Sequence, residues 1–263
     1  MLRHQSQVKG YAIHASDGLV GTISDVLFDD ATWLVRWFVV NTATWLAGRR
    51  VLLPPSALAS VNHIGHQFVV KLNRHQVRDC PDVDTDAAVS RQHEADIYDH
   101  YGWAPYWSAS SYMGIVGFGG YLGEPLIAPP SLELMQREKS LADARQAASD
   151  PTLRSIGEVT GYAVHAIDGE VGHVEDFLIE DDDWSIHYLV VETGTWWHGN
   201  KLLVSPLAVQ SIQWLDRLVN LGADRQAVKN SAAYDPSATV DPIYEKHVQR
   251  FNDGLRPRGS ADV

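Results

Sequence analysis

The sequence predicts a mainly β protein, built as two small antiparallel β-barrels in tandem with short helical tails and a helical linker. Residues 8–21, Val-Lys-Gly-Tyr-Ala-Ile-His-Ala-Ser-Asp-Gly-Leu-Val-Gly, return as residues 159–172, Val-Thr-Gly-Tyr-Ala-Val-His-Ala-Ile-Asp-Gly-Glu-Val-Gly. The match runs on without a gap through Trp33/Trp184, Val39/Val190, Trp45/Trp196, Gly48/Gly199 and Pro55/Pro206. Identity is about 45% over this core, which marks an internal duplication. Within each copy, short runs of β-branched and aromatic residues alternate with Gly, Asp and Pro turns, the pattern of strands. A copy of about 75 residues has room for one small barrel and little more.

Each copy opens on a short apolar strand ending at Asp17-Gly18 or Asp168-Gly169, a dipeptide that favours a tight hairpin. The next strand alternates, with Val20, Ser24, Val26 and Phe28 interleaved with Gly21, Ile23, Asp25 and Leu27. A polar turn follows at residues 29–32 and 180–183. The central strand is then residues 33–40, matched by 184–191, with Trp33, Trp37 and Trp184 at strand positions in the core. A tryptophan-bearing loop leads to the strand at residues 50–53, and a last strand at 67–72 or 217–221 completes the copy. Closing such a set of strands into a barrel removes its exposed edges. Past the first copy, residues 90–100 read as a short helix, 108–130 as a Gly-, Ser- and aromatic-rich loop, and 133–148 as a connecting helix. The domain reading is 1–80 and 152–231 for the barrels, 81–107 for an acidic and aromatic tail, 108–151 for the loop and linker helix, and 232–263 for a C-terminal helical tail.

The net charge of −12 argues against general nucleic-acid binding, which needs clustered Lys and Arg to displace counterions. The charge is uneven: +3 over residues 1–80, −7 over 81–150 and −8 over 151–263. Such asymmetry steers partners rather than shaping a fold. Cys80 is the single cysteine, so no internal disulfide forms and a reducing, cytoplasmic location is expected. The first residues carry no apolar run of signal-peptide length, and the weakly polar stretch 112–122 is far short of a membrane span.

These motifs resemble the PRC-barrel family. The carrying residues are Gly-Tyr-x-x-x-Ala-x-Asp-Gly-x-x-Gly at 10–21 and 161–172, Val-Val-x-Thr at 39–42 and 190–193, and Trp196-Trp197-x-Gly199 with Lys201 before Leu202-Leu203-Val204-Ser205-Pro206. The resemblance implies a six-stranded antiparallel barrel like the cytoplasmic domain of the photosynthetic reaction centre H subunit and the C-terminal domain of a ribosome maturation factor. The tandem arrangement is similar to that of bacterial two-barrel proteins. It also implies a role in assembly, docking or regulation, with no shared catalytic machinery and no cofactor.

Candidate residues fall into two groups. Trp45, Trp196 and Trp197 in loops, and Trp103, Tyr106 and Trp107 in the aromatic tail, are candidate interface anchors, since large aromatics bury wide area at low entropic cost. The second copy gathers His173, Asp176, His187 and His198, a candidate ligand cluster without the close pairing of zinc motifs. The acidic run 180–183 offers oxygen ligands to a hard cation but lacks the spacing of a calcium loop. His173 and Asp176 are a candidate acid-base pair, without a nucleophile motif beside them. The functional expectation is a non-enzymatic interaction or assembly module that docks a protein partner or associates with itself. The self-associating form is a pseudo-two-fold barrel pair or a homodimer. The alternatives are a metal- or small-ligand-binding protein using the second repeat's His and Asp residues, and a ribosome-associated assembly factor acting through the basic first copy.

Overall fold

The computed structural model describes residues 1–42, 45–46, 49–81, 89, 91–103, 105, 153–194, 200–230 and 233–236. The expected loop at 108–130, the linker helix at 133–148, Tyr106, Trp107, Trp196, Trp197, His198 and the C-terminal helical tail beyond residue 236 lie outside the described residues. The chain divides into two units, Val8–Arg154 and Met1–Gln7 with Ser155–Val263. The second unit therefore takes in the first seven residues of the chain.

The first strand, β1 (Leu2–His4), leads into a one-turn helix, α1 (Gln5–Val8). The unit that begins at Val8 then contains β2 (Ala12–Ala15), β3 (Gly18–Asp29), β4 (Leu34–Asn41), β5 (Arg50–Leu53), β6 (Leu58–Asn62) and β7 (Gln67–Val70). Its strands pair in the order β5-β4-β3-β2-β7-β6, and β8 (Leu153–Ser155) also pairs with β3. Two short helices belong to this unit, α2 (Arg74–Arg78) and α3 (Arg91–Tyr101).

The other unit repeats the plan. After α4 (Ile156–Val159) come β9 (Ala163–Ala166), β10 (Gly169–Glu180), β11 (Ile186–Thr193), β12 (Lys201–Val204), β13 (Val209–Gln213), β14 (Leu218–Leu221) and α5 (Arg225–Lys229). The order is β12-β11-β10-β9-β14-β13, with β1 antiparallel to β10 in the register Leu2↔Glu180, Arg3↔Ile179 and His4↔Leu178.

Two features of the expected barrels are corrected. The pairing path of each sheet is open, and among the described residues no ladder joins its two ends. One pair in each sheet is parallel, β2 with β7 and β9 with β14. Both departures arise at one place. β5 is followed by a 3-10 turn at Pro55–Ala57, and β12 by one at Pro206–Ala208, where prolines supply no N–H to extend a ladder. This corner replaces a hairpin, so the chain does not reverse there. Four antiparallel reversals then bring β7 back parallel to β2.

The hairpins expected at Asp17-Gly18 and Asp168-Gly169 are present, with Ala15 opposite Gly18 and Ala166 opposite Gly169. The aspartates also have a second task. Asp17 accepts the Arg74 backbone N–H at 2.8 Å and Asp168 that of Arg225 at 2.7 Å, holding α2 and α5 against the turn. The long strands β3 and β10 carry register shifts at Ile23/Asp25 and Val174/Asp176, irregularities that bend a strand and raise its twist. Gly21 and Gly172 sit where these strands pass β4 and β11. A Cβ at either would overlap the Asn41 or Glu192 carbonyl, which accounts for their presence in both copies.

Trp33 and Trp184 do not begin the central strands. They close the preceding turn with φ of 59° and 60°, and the strands start at Leu34 and Ile186. Left-handed backbone is unusual for a bulky residue. Both indoles are buried, and Trp33 stacks on Phe28 with ring centroids 5.4 Å apart, a contact that offsets the strain of the turn.

One face of the first sheet, lined by Leu27, Trp37, Val39 and Leu52, is covered by Ile97 and Tyr98 of α3, Cys80 and Leu153. The Trp37 indole N–H donates to the buried Glu94 carboxylate at 2.8 Å. The corresponding face of the second sheet, Leu178, Tyr188, Val190 and Leu203, is covered by Tyr234 and Leu2.

Candidate functional site

The second unit places its polar side chains around Asp176, which sits at the irregular step in β10 and is buried. The Asp176 Oδ2 atom accepts the Ser6 hydroxyl at 2.6 Å and faces His4 Nδ1 at 2.9 Å. Its Oδ1 atom accepts the backbone N–H groups of Phe177 at 2.8 Å and Ser6 at 3.2 Å. His4 Nε2 in turn lies 2.9 Å from the Tyr234 hydroxyl. An ionised carboxylate only accepts, so His4 carries a hydrogen on Nδ1 and donates it to Asp176.

Burial by itself raises the Asp176 carboxyl, but the hydrogen bonds from His4, Ser6 and the Phe177 amide outweigh it and hold the group below the usual carboxylate range. Tyr234 is pushed upward by its burial and then by the negative charges of Asp176, Asp235 and Glu175. The network is thus arranged to keep a carboxylate charged and a phenol neutral. The Ser6 proton goes to Asp176 rather than to His4, so the geometry is not that of a nucleophile activated by an imidazole. Beside the network lies a cleft of about 320 Å³, with Gln7, Lys201 and Pro236 on its wall and an ion pair between Lys201 and Glu175.

A second polar centre forms at the turn after β10. Carboxylate oxygens of Glu180, Asp181 and Asp182 lie within 4.8 Å of one another. Arg3 Nε donates to Asp181 Oδ2 at 3.0 Å, and the Met1 nitrogen lies against all three acids. Burial raises the Asp181 carboxyl, and these two cationic groups reverse the sign and lower it. The first unit repeats the pair more tightly. Arg154 Nε donates to Asp30 Oδ2 at 2.8 Å, with the two side chains 0% and 1% exposed. Arg3 and Asp181 are 23% and 15% exposed.

Of the expected ligand cluster, Asp176 meets an imidazole, that of His4. His173 is on the same strand with its side chain 47% exposed, 3.7 Å from Glu192. His187 packs edge-on against Tyr188 with centroids 6.2 Å apart. Of the expected interface residues, Trp45 donates its indole N–H to the Val20 carbonyl and lies beneath the Arg74 guanidinium at 4.4 Å. Trp103 stacks on Tyr101 with centroids 4.5 Å apart and packs against the core of its own unit. His4, Ser6, Tyr234 and the two arginines were not singled out from sequence. One signal for part of the set was available: Leu2-Arg3 and Leu153-Arg154 occupy equivalent places upstream of the two repeats.

The family model described as the PRC-barrel domain matches residues 3–76. Residues 3–76 are a PRC-barrel domain. PRC-barrel domains are a non-catalytic family of interaction and structural modules, consistent with a non-enzymatic protein. No curated protein matches the chain. The matched stretch begins at Arg3, so it counts β1 as part of the domain that follows, although here β1 completes the sheet of the second unit. The second sheet has the same strand order as the first, and the two together suggest a tandem PRC-barrel arrangement. Among the described residues no helix is long and apolar enough to cross a membrane.

Proposed function

We propose that the chain is a non-enzymatic tandem PRC-barrel protein that works as an interaction or assembly module, docking a protein partner or a second copy of itself in the cytoplasm. The reading is supported above all by the family match at residues 3–76 together with a second sheet of the same strand order. The Asp176 network agrees with a structural role for this region, since it ties the leading strand and α1 to β10. The loop and tail aromatics Trp107, Trp196 and Trp197 are the proposed anchors. Sedimentation of the wild type and of a Trp107→Ala, Trp196→Ala, Trp197→Ala chain tests this. Weaker association with an unchanged melting temperature is the expected result. Identical sedimentation of the two chains removes the aromatic anchors from the reading.

A second reading is supported by the Glu180, Asp181 and Asp182 oxygens, which are close enough together to hold a hard divalent cation. Such an ion would compete with Arg3 for Asp181. Calorimetric titration with calcium and with magnesium separates the two readings. Stoichiometric binding that is lost in Asp182→Asn favours a cation-binding role, and flat titrations remove it.

A further inference from the structure

Each sheet is completed by a strand that the sequence places in front of the other repeat. β1 precedes the first repeat and pairs with β10, and β8 precedes the second and pairs with β3. The two donor strands are built alike. Both begin Leu-Arg, with Leu2 packed on the cluster around Tyr188 and Leu153 within the cluster around Trp37. Both arginines clasp the aspartate at the end of the long strand they join, Asp181 and Asp30. The chain crosses between units at Gln7–Val8 and at Arg154–Ser155.

From this reciprocal exchange we infer that the β10 edge is a strand-acceptor site and that a second copy of this chain is a partner for it, the two copies trading β1. The inference rests on the reading of the chain as an interaction module and names the partner and the surface. A traded strand makes the same bonds as a retained one: the β10 ladder, the Arg3–Asp181 clasp and the Asp176 network with His4 and Ser6. Closed and traded forms then differ mainly in connectivity, which is why exchange of identical elements is a low-cost route to dimers. The balance is set by chain concentration against the effective concentration of the tethered strand, on the order of millimolar for a short flexible tether. β1 is the strand expected to trade, because its clasp is partly exposed while Arg154 and Asp30 are enclosed.

Two full-length chains test this, one carrying Arg3→Asp and the other Asp181→Arg. Within either chain alone, or in a dimer of identical chains, the clasp brings like charges together. In a mixed dimer that trades β1, both clasps are attractive. Each chain is unfolded and refolded alone and as an equimolar mixture at the same total concentration, and mass is read by light scattering after size exclusion. A species of twice the chain mass, enriched about tenfold in the mixture over either chain alone, is expected, since two exposed ion pairs are restored together. Equal dimer fractions in all three samples overturn the inference. Should either variant fail to regain its circular dichroism, tagged and untagged wild-type chains are co-refolded at rising concentration. Dimers carrying both forms are then expected, and their absence up to about millimolar chain overturns it. Failure here leaves docking through the aromatic anchors standing, because that reading is judged by the sedimentation of the tryptophan variants.

Discussion

The two units carry the same strands in the same order, yet the same face of each sheet is finished differently. In the first, α3 lies over Trp37 and Glu94 accepts the indole N–H, so the face is sealed by a helix bearing Ile97 and Tyr98. In the second, Tyr188 stands in place of Trp37, and Tyr234 and Leu2 cover the smaller cluster. The polar consequence follows the apolar one. Asp25 of the first unit accepts the Val26 amide, as Asp176 accepts that of Phe177, but the donor-strand residues equivalent to His4 and Ser6 are Ser155 and Gly157. A duplicated sheet has kept its backbone devices and specialised its covers.

The contrast between the two arginine clasps has the largest expected effect. Arg154→Ala strips the enclosed Asp30 of its guanidinium and is expected to destabilise the first unit by about 3–5 kcal/mol. Arg3→Ala, at the more exposed pair, is expected to cost about 1 kcal/mol or less and to matter less still in high salt. Denaturant unfolding of both variants checks the ratio, and equal losses would erase the distinction. Next in size is Trp37→Phe, which keeps most of the apolar contact but takes the N–H donor from buried Glu94. A loss of about 1–3 kcal/mol is expected in denaturant unfolding. Smaller again, Tyr234→Phe removes one hydroxyl from His4, and about 1 kcal/mol is expected from thermal melts.

The smallest effect is in pH dependence. The folded Asp176 carboxyl lies below its unfolded value, so its contribution to stability is complete above about pH 3.9 and is lost as pH falls through the folded value. An Asp176→Asn chain is expected to show a shallower fall in stability over that acid window than the wild type. Parallel acid-unfolding curves would mean that His4 and Ser6 do not favour the charged form.

What could be read from sequence was local or repeated. The hairpins at Asp17-Gly18 and Asp168-Gly169 declare themselves because a two-residue turn has few chemistries, and the duplication doubles each signal. The strand order was harder. Whether β7 lies parallel to β2 depends on a corner at Pro55 that reads in sequence as one more turn. Trp33 looks like the first residue of a strand because its neighbours are β-branched and aromatic, and only the left-handed backbone shows that it closes the turn. The Asp176 centre was half legible. The acid stands out at equivalent places in both copies, but His4 lies 172 residues away in a stretch with no apolar periodicity. Nor does a Leu-Arg dipeptide in front of each repeat say which sheet it joins, since it suits both.

The crossing of the leading strands also separates heredity from architecture. A stretch of coding sequence equal to one repeat with its leading strand specifies most of one sheet and the finishing piece of the other. A substitution at Arg3 is felt at Asp181 and one at Arg154 at Asp30, so the leading strand of each repeat carries a charge that the other repeat's sheet must match.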